Sequence, residues 1–517
     1  MKRLLLILRA RFSSMPGDIF CMPECPRVVS FTAIFIVILF ITGCAVGPNF
    51  KRPTAPTVDG YTAKPLPAQT ASVEVKGGEA QSYVKDMDIP GQWWTLFQSK
   101  PLDDLIKQAL KANPDLDAAQ AALRGAWENV YAQRGAFFPA IEADFSATRQ
   151  KTAAVLSSPL ASGESIYSLH TGQVAVSYTP DVFGGTRRQV ESLKAQANSQ
   201  RFQLEAAYLT LTSNVVAAAV EEAALRGQIA ATRRIIEIQS KSLDLLQRQY
   251  ALGQIATLDV AAQEAALAQT QAMLPPLEKQ LAQQRDLLAR LAGRFPSETL
   301  AEEFELPALQ LPQALPVSLP SKLVEQRPDV RFAEEQLHAA SAEIGVAVAN
   351  RLPNITLSAN SGSSATAISQ LFTSGTGFWA LAANLTQPIF QGGTLLHRQR
   401  AAEAAYDQAA AQYKSTVLTA FQNVADTLHA VQSDADALKA ADTAERASAK
   451  SLAIARKQLE LGDISYLALL NAEQTYQQAV INLVQALANR YTDTAALFQA
   501  LGGGWWNRSD VPAGVGE

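Results

Sequence analysis

The sequence predicts a mainly α-helical fold that also contributes strands to a membrane β-barrel, built from two internal repeats. Three observations predict it: long Ala-, Leu- and Gln-rich segments, two pairs of short segments that alternate apolar and polar residues, and Pro, Phe and Gly landmarks that recur at a nearly constant spacing. Aromatic residues make up only 7% of the 517 positions, and mean hydropathy is near zero. This composition favours long helices over a β-sandwich or a doubly wound sheet.

The internal repeat is indicated by landmarks that appear in the same order in both halves of the chain. The pairs are Pro139 and Pro353, Phe183 and Phe390, and Gly253 and Gly462, separated by 214, 207 and 209 residues. Self-similarity at a fixed spacing indicates a duplicated structural unit. Two homologous halves are therefore expected.

Each half places two segments of period two directly after its first long helix. Large apolar residues occupy one side of each segment and small or polar residues the other, as in a β-strand. The four segments are 141–148, 174–179, 355–360 and 379–386. The pattern fits a barrel wall between lipid and water, although a soluble sheet with one buried face shows it too. Because bacterial barrels need at least about eight strands, four strands per chain require an oligomer.

Long helices are predicted after each hairpin. In the first half they run from 185 to about 220 and from about 227 to 252, and a heptad seam indicates coiled-coil packing in the second of them. Its members are Ile229, Ile236, Leu243 and Tyr250.

Glycines mark the predicted turns, because glycine adopts left-handed backbone without steric cost. Gly253 and Gly462 suit helix ends. The strand-to-helix turns are expected at Gly184-Gly185 and Gly392-Gly393.

The N-terminus has the pattern of an export signal. Residues 29–42 are apolar and uncharged, follow a basic start, and are shorter than a typical membrane-spanning helix. The stretch ends Ile41-Thr42-Gly43-Cys44, which resembles the lipobox of bacterial lipoproteins. This resemblance implies a diacylglycerol and an N-acyl chain on Cys44, and Ala45 after it implies sorting to the outer membrane. The alternative is an ordinary signal peptide with an incidental cysteine.

The predicted organisation follows from these boundaries. It comprises a signal peptide (1–43), a lipidated extended tether (44–91), a first repeat (92–294), a linker (295–318), a second repeat (319–504) and a C-terminal tail (505–517).

Composition and spacing argue against catalysis and nucleic-acid binding. The formal net charge is -4 without a Lys/Arg run, so no nucleic-acid partner is expected. All three cysteines lie in the first 44 residues, and the four histidines lie far apart. No phosphate-binding loop or catalytic constellation appears. No enzyme activity, metal site or cofactor is predicted, apart from the covalent lipid on Cys44.

Several motifs in order resemble those of one family. They are Asn-Pro-Asp-Leu at 113–116, the segment 319–329, Ile-Gly-Val-Ala at 344–347, Gln-Pro-Ile-Phe-Gln-Gly-Gly at 387–393, the segment 420–426 and the closing segment 500–505. Together they resemble the outer membrane factor family of TolC and OprM, including its NodT-like efflux lipoproteins. Position 423 departs from the pattern, with Asn where many relatives have an acidic residue.

The resemblance implies a homotrimer lipid-anchored in the outer membrane and extending into the periplasm. Its twelve-stranded barrel would continue into an α-barrel of twelve helices, and a periplasmic adaptor and an inner membrane pump would dock at the far end. The chain would then be the exit duct of a tripartite efflux system for drugs or other small molecules. A type I protein secretion duct and, from a different class, a periplasmic scaffold lipoprotein without a pore are the alternatives.

The gate is expected where the helices of each half turn back, near 226–227 and near 433–438. Asp434 and Asp436 would form carboxylate rings in a trimer, as in the acidic entrance of the family. The alternative is that these aspartates cap or solvate a helical turn. Arg226 and Gly227 are predicted adaptor contacts on the same argument.

Overall fold

The computed structural model of the chain describes residues 45–508 apart from 154, 157–162 and 299. The predicted signal peptide, Cys44 and residues 509–517 of the predicted tail lie outside the described residues.

The chain enters the first repeat through a peripheral layer. This layer contains strand β1 (Ser82–Lys85), a 3-10 turn at Trp93–Phe97 and helix α1 (Lys100–Ala112). The first repeat then consists of α2 (Pro114–Arg134), β2 (Ala140–Lys151), β3 (Ile166–Tyr178), α3 (Gly185–Ala251) and α4 (Thr257–Leu291). Helix α2 begins where the Asn113 side chain accepts from the Asp115 N–H, with Pro114 in the first turn.

The second repeat has the same order of elements. A peripheral strand β4 (Ala314–Val317) and helix α5 (Pro320–Gln326) precede α6 (Pro328–Ala349), β5 (Asn354–Ala365), β6 (Gly377–Thr386), α7 (Thr394–Leu461) and α8 (Tyr466–Ala500). Helices α3 and α7 have 67 and 68 residues, and α4 and α8 have 35 each. At about 1.5 Å per residue, α3 and α7 are each about 100 Å long. The predicted repeat is confirmed.

The four long strands form one antiparallel sheet in the order β2-β3-β5-β6. The register aligns Ile141, Val176, Ala359 and Leu381 across one face, and Glu142, Ala175, Asn360 and Ala380 across the other. One face is therefore apolar and the other small or polar, as predicted. Ile141 and Leu381 are 71% and 74% exposed, so in this chain the apolar face is open.

The largest aromatic side chains of the core lie where the 3-10 turn meets α8. Trp93, Trp94, Phe97 and Phe498 are almost fully buried, and Trp93 stacks on Phe498 with ring centroids 5.5 Å apart. Together with apolar residues of α1, these side chains pack the peripheral layer against the middle of α3 and the end of α8.

Two sequence-based expectations about chain path are wrong. The helices predicted at 185–220 and 227–252 are one uninterrupted helix, α3. Residues 45–91 are not a free extended tether, because β1 pairs in parallel with β4 and Gln81 is completely buried. We call residues 45–91 the N-terminal strap.

Within the described residues, no helix is both long and apolar enough to cross a membrane.

Candidate functional site

The two long helical hairpins end in matching turns, which we call the tips (residues 252–256 and 462–465). Gly253 and Gly462 adopt left-handed backbone there, with φ of +71° and +77°. The tips are joined through apolar residues of all four helices and by a polar contact. The Tyr466 hydroxyl donates to Gln263 Oε1 at 2.6 Å, and Gln263 Nε2 donates to the Gln239 carbonyl at 2.8 Å.

Exposed leucines lie in or directly beside both tips, at positions related by the repeat. Leu252 and Leu461 are 73% and 69% exposed, and Leu258 and Leu467 are 76% and 62% exposed. Both pairs are separated by 209 residues, which is the spacing of the repeat. Clustered exposed apolar side chains indicate an interaction surface.

The predicted turn at 226–227 is wrong, because both residues lie inside α3. A single glycine costs about 1 kcal/mol in a helix, which is too little to end one. A Cβ on Gly227 would lie 3.2 Å from Val484 Cγ1, so this glycine allows α8 to pack closely. The structure therefore gives Gly227 a packing role in the middle of the molecule, not at a tip.

Arg226 belongs to a buried ion cluster. Arg226 Nε and Arg285 Nη1 lie 2.9 and 2.8 Å from Glu222 Oε1, and the Glu222 side chain is completely buried. Arg226 Nη2 also pairs with Glu303 at 3.1 Å. These contacts join α3, α4 and the linker. They give Arg226 a structural role that does not require contact with an adaptor.

Asp434 and Asp436 also lie inside a helix, α7, so the turn predicted at 433–438 is wrong as well. Asp434 is half-buried against Asp493 of α8. Burial and the Asp493 carboxyl raise the pKa of Asp434 to about 7, although Arg490 opposes the shift. Asp436 is exposed. Residues two apart in an α-helix are rotated by about 200° about the helix axis. The side chains of Asp434 and Asp436 therefore cannot both face the same pore.

The predicted strand-to-helix glycines differ among themselves. Gly184, Gly392 and Gly393 have φ of +80°, +58° and +85°. Gly185 is different, because it is the first residue of α3 and does not use left-handed freedom. A Cβ there would approach Ala349 Cβ to 3.1 Å, so close packing is its structural reason.

The start of the strap is bound at the junction between β3 and α3. Arg188 of α3 is 3% exposed and donates to the Val46 carbonyl at 3.0 Å, the Gly47 carbonyl at 3.3 Å and Asn49 Oδ1 at 2.7 Å. The Val46 N–H donates to the Phe183 carbonyl at 3.0 Å. Sequence reasoning missed this site, because a polar strap gives no periodic signal.

Further contacts continue along the strap. The Phe50 ring stacks on His338 at 4.3 Å, and Arg52 Nε pairs with Glu334 of α6 at 2.8 Å. Farther on, the buried Arg490 donates to the Glu79 carbonyl at 2.6 Å and to Thr70 Oγ1 at 3.1 Å. The strap is thus bound to both repeats.

Among the described residues, no group of three or more His, Cys, Asp or Glu side chains is arranged to hold a metal ion. What the described part offers is a set of long helices with exposed tips, joined to an amphipathic sheet with two free edges.

The outer membrane efflux protein family matches residues 105–294 and 319–503, which is more than half of the chain. The chain belongs to this family. The predicted family and fold class are thereby confirmed, and with them the class of function, an outer membrane efflux component.

Individual relatives cover nearly the whole chain. It is 28% identical over 481 residues to the probable efflux pump outer membrane protein TtgC of Pseudomonas putida, covering 93% of this chain and 96% of TtgC. It is 29% identical over 478 residues to the outer membrane protein OprJ of Pseudomonas aeruginosa, covering 91% and 95%.

Solved structures agree with the fold. The outer-membrane channel OprN superposes with a TM-score of 0.79 at 27% identity, covering 89% of this chain and all of that one. The outer membrane protein VceC of Vibrio cholerae gives 0.75 at 27% identity, covering 81% and 100%.

Proposed function

We propose that three copies of this chain form the exit duct of a tripartite efflux system in the outer membrane. The observation that supports this most directly is the four-stranded sheet, which has an open apolar face and two unpaired edge strands, β2 and β6. An edge strand in lipid leaves backbone groups without partners, so a membrane sheet must close. Three copies supply twelve strands, enough for closure.

Paired cysteines across the free edges test the trimer. In one chain Ile141 and Leu381 share a rung at opposite edges, three strand spacings or about 14 Å apart. That distance is too long for a disulfide. In a closed barrel, β2 of one copy lies beside β6 of the next. Closing a barrel also staggers β2 of one copy along β6 of the next, so Ile141→Cys is combined in separate variants with Gly377→Cys, Leu381→Cys or Leu385→Cys. Treated with a short bifunctional thiol reagent, the variant whose cysteines are adjacent across the edges should give a ladder ending at a trimer.

The matched control is Val176→Cys with Ala359→Cys, which are direct partners within one chain. This pair should react internally and give no ladder. If every edge pair produced only monomer while the control pair reacted, the closed trimer would be wrong.

The duct works by replacing lipid with water along the transport path, and no chemical step on the solute is needed. The polar sheet face would line the barrel lumen, and the long helices would line the periplasmic tunnel. The energy for transport would come from the inner membrane pump.

The tips would bind the adaptor. Their exposed leucines occur at equivalent positions in both repeats, so a trimer would present a ring of similar apolar sites. Leu258→Asp with Leu467→Asp should abolish adaptor cross-linking and drug resistance in cells while the trimer persists. Val58→Asp, at a 51% exposed residue of the strap, is the control. Unchanged cross-linking in the tip variant would move the docking site elsewhere.

The gate is proposed at the tip of the second repeat, in place of the mid-helix aspartates. Asp463 is exposed in that tip, and three copies would place three carboxylates at the tunnel end, where they attract cations. Asp463→Ala should enlarge single-channel openings in planar bilayers and reduce their cation selectivity. Asp434→Ala and Asp436→Ala should leave both unchanged. The opposite pattern would restore the gate to the middle of α7.

Lipidation of Cys44 is proposed because residues 45–49 lie at the junction where β3 ends and α3 begins. An acyl group on Cys44 would follow directly from this bound segment and lie near the membrane surface. Radiolabelled palmitate should be incorporated into the wild-type protein and not into Cys44→Ser. Incorporation that survives the substitution would refute the site.

Small-molecule efflux is favoured over protein secretion because relatives are named for antibiotic and toluene efflux and for pyoverdine export. A periplasmic scaffold is disfavoured because it has no use for an exposed apolar sheet face. Drug accumulation in a deletion strain, compared with secretion of extracellular proteins, separates the two duct functions.

A further inference from the structure

The loop between β5 and β6 (residues 366–376) folds back over the apolar face of the sheet. Leu371 is 4% exposed, and a Cβ on Gly172 of β3 would lie 3.6 Å from Leu371 Cδ2. Gly172 pairs with Ser363, two residues before β5 ends at Ala365. At about 3.3 Å per residue, the loop returns about 7 Å along the barrel wall.

This loop presents apolar side chains on its outer side. Ile368 and Phe372 are 64% and 84% exposed, whereas Leu371 between them is buried against β3. Backbone and hydroxyl groups of the loop are bonded internally, for example Thr376 Oγ1 to the Leu371 carbonyl at 2.9 Å. The loop therefore presents apolar surface, and the polar groups that are satisfied internally lower the cost of its contact with lipid.

The charge distribution also favours lipid around this hairpin. Residues 352–396 contain no Asp, Glu, Lys, Arg or His, whereas the β2–β3 hairpin has Arg149, Lys151 and Glu164 near its end. The helices continue from the other end of the strands, so both hairpin ends point away from the periplasmic body. The uncharged end can remain in the outer part of the membrane at low cost.

The position of this loop argues against contact with a neighbouring copy in the trimer. Leu371 lies over β3, an interior strand, and the edges that meet other copies are β2 and β6. Outward from β3 lies the surface that the barrel exposes to lipid.

We propose that loop 366–376 is a membrane-contacting wedge, in which Leu371 holds the loop on β3 and Ile368 and Phe372 insert among the acyl chains of the outer leaflet. This rests on the barrel proposed above. The wedge would fix the depth and tilt of the barrel in the outer leaflet, independently of transport.

The chain is well suited to a labelling test, because no cysteine follows Cys44. Phe372→Cys in the full protein is labelled with an environment-sensitive thiol fluorophore and reconstituted in phosphatidylcholine vesicles. Quenching is compared between lipids with a nitroxide on the acyl chain and aqueous iodide. The unsubstituted protein, treated in parallel, reports any background from Cys44.

Two positions on β6 calibrate the measurement. Leu381→Cys lies on the apolar face and should be quenched by the lipid nitroxide, and Asn384→Cys lies on the polar face and should be quenched by iodide. We expect the label at 372 to follow position 381, with several times more quenching by lipid than by iodide. Ile368→Cys provides a second position if Phe372→Cys does not assemble.

The other outcomes overturn the proposal. Quenching mainly by iodide at 372 would place the loop in water, and protection from both quenchers would place it against protein. Failure of Leu381→Cys to sense lipid would instead refute the barrel itself, so the two failures are distinguishable.

Discussion

Arg188→Ala should release the start of the N-terminal strap from the body. The guanidinium donates three hydrogen bonds to residues 46–49 from a site that is 3% exposed. Each hydrogen bond from a charged group contributes about 1.5–3 kcal/mol, and such contributions are not additive. We expect a loss of about 3–4 kcal/mol in strap binding, or a few-hundred-fold increase in the released population, at about 1.4 kcal/mol per tenfold.

Trypsin cleavage after Lys51 measures this population, because proteolysis follows the open state when opening and closing are fast. Hydrogen exchange at the Val46 N–H gives an independent readout. Arg187→Ala is the matched control, since Arg187 pairs with Asp181 at 3.1 Å. Arg188→Lys should restore part of the protection. Cleavage and exchange rates equal to the wild type in Arg188→Ala would show that the strap is bound by its later contacts alone.

Four further substitutions test individual positions in the helices and tips. Glu222→Gln should lower stability by about 2 kcal/mol, less than for a fully buried pair because both arginine partners are about one-quarter exposed; a thermal midpoint equal to the wild type would contradict this. Gly462→Ala should cost about 1 kcal/mol because φ is +77°, whereas Gly125→Ala, in open helical surroundings, should stabilise by a similar amount. The pKa of Asp434 is raised to about 7, so its contribution to stability is complete below its ordinary pKa of 3.8 and is lost as pH rises towards about 7. Asp434→Asn should therefore gain thermal stability over the wild type at pH about 8 but not at pH about 4, and an equal difference at both would refute the assignment.

The repeat and the strands were predictable because their signals are local. Period-two alternation decides which side chains share a face, and in 355–360 and 379–386 it located two strands within a longer hairpin. The two hairpins determine the pairs β2–β3 and β5–β6. The β3–β5 pairing that joins the hairpins is the part of the strand order that they do not determine.

The helix turns predicted at 226–227 and 433–438 rest on position in the repeat alone, and both segments lie inside continuous helices. Both actual tips contain a left-handed glycine followed by a new helix start. In the second tip Ser465 accepts from the Ala468 N–H at 3.4 Å, whereas Ala256 in the first tip provides no side-chain cap. Gly227 does not adopt left-handed backbone and is compatible with a continuous helix, and Val484 packs against it.

The strap contacts were beyond sequence reasoning for a different reason. Arg188 and His338 meet residues 46–50 only after the body has folded. Polar partners separated by more than a hundred residues leave no periodic trace, so composition alone suggested a free tether.

In the middle of the molecule the two repeats contact different segments, each of which occurs only once in the chain. In the first repeat Arg226 and Arg285 contact the linker, whereas in the second repeat Arg490 contacts the strap. The tips keep the repeat symmetry, and in the described chain they are formed by elements that both repeats possess. Leu258→Asp and Leu467→Asp should therefore weaken adaptor binding by similar amounts when tested singly. Strongly unequal effects would mean that the adaptor distinguishes the two tips, despite their equivalent leucines.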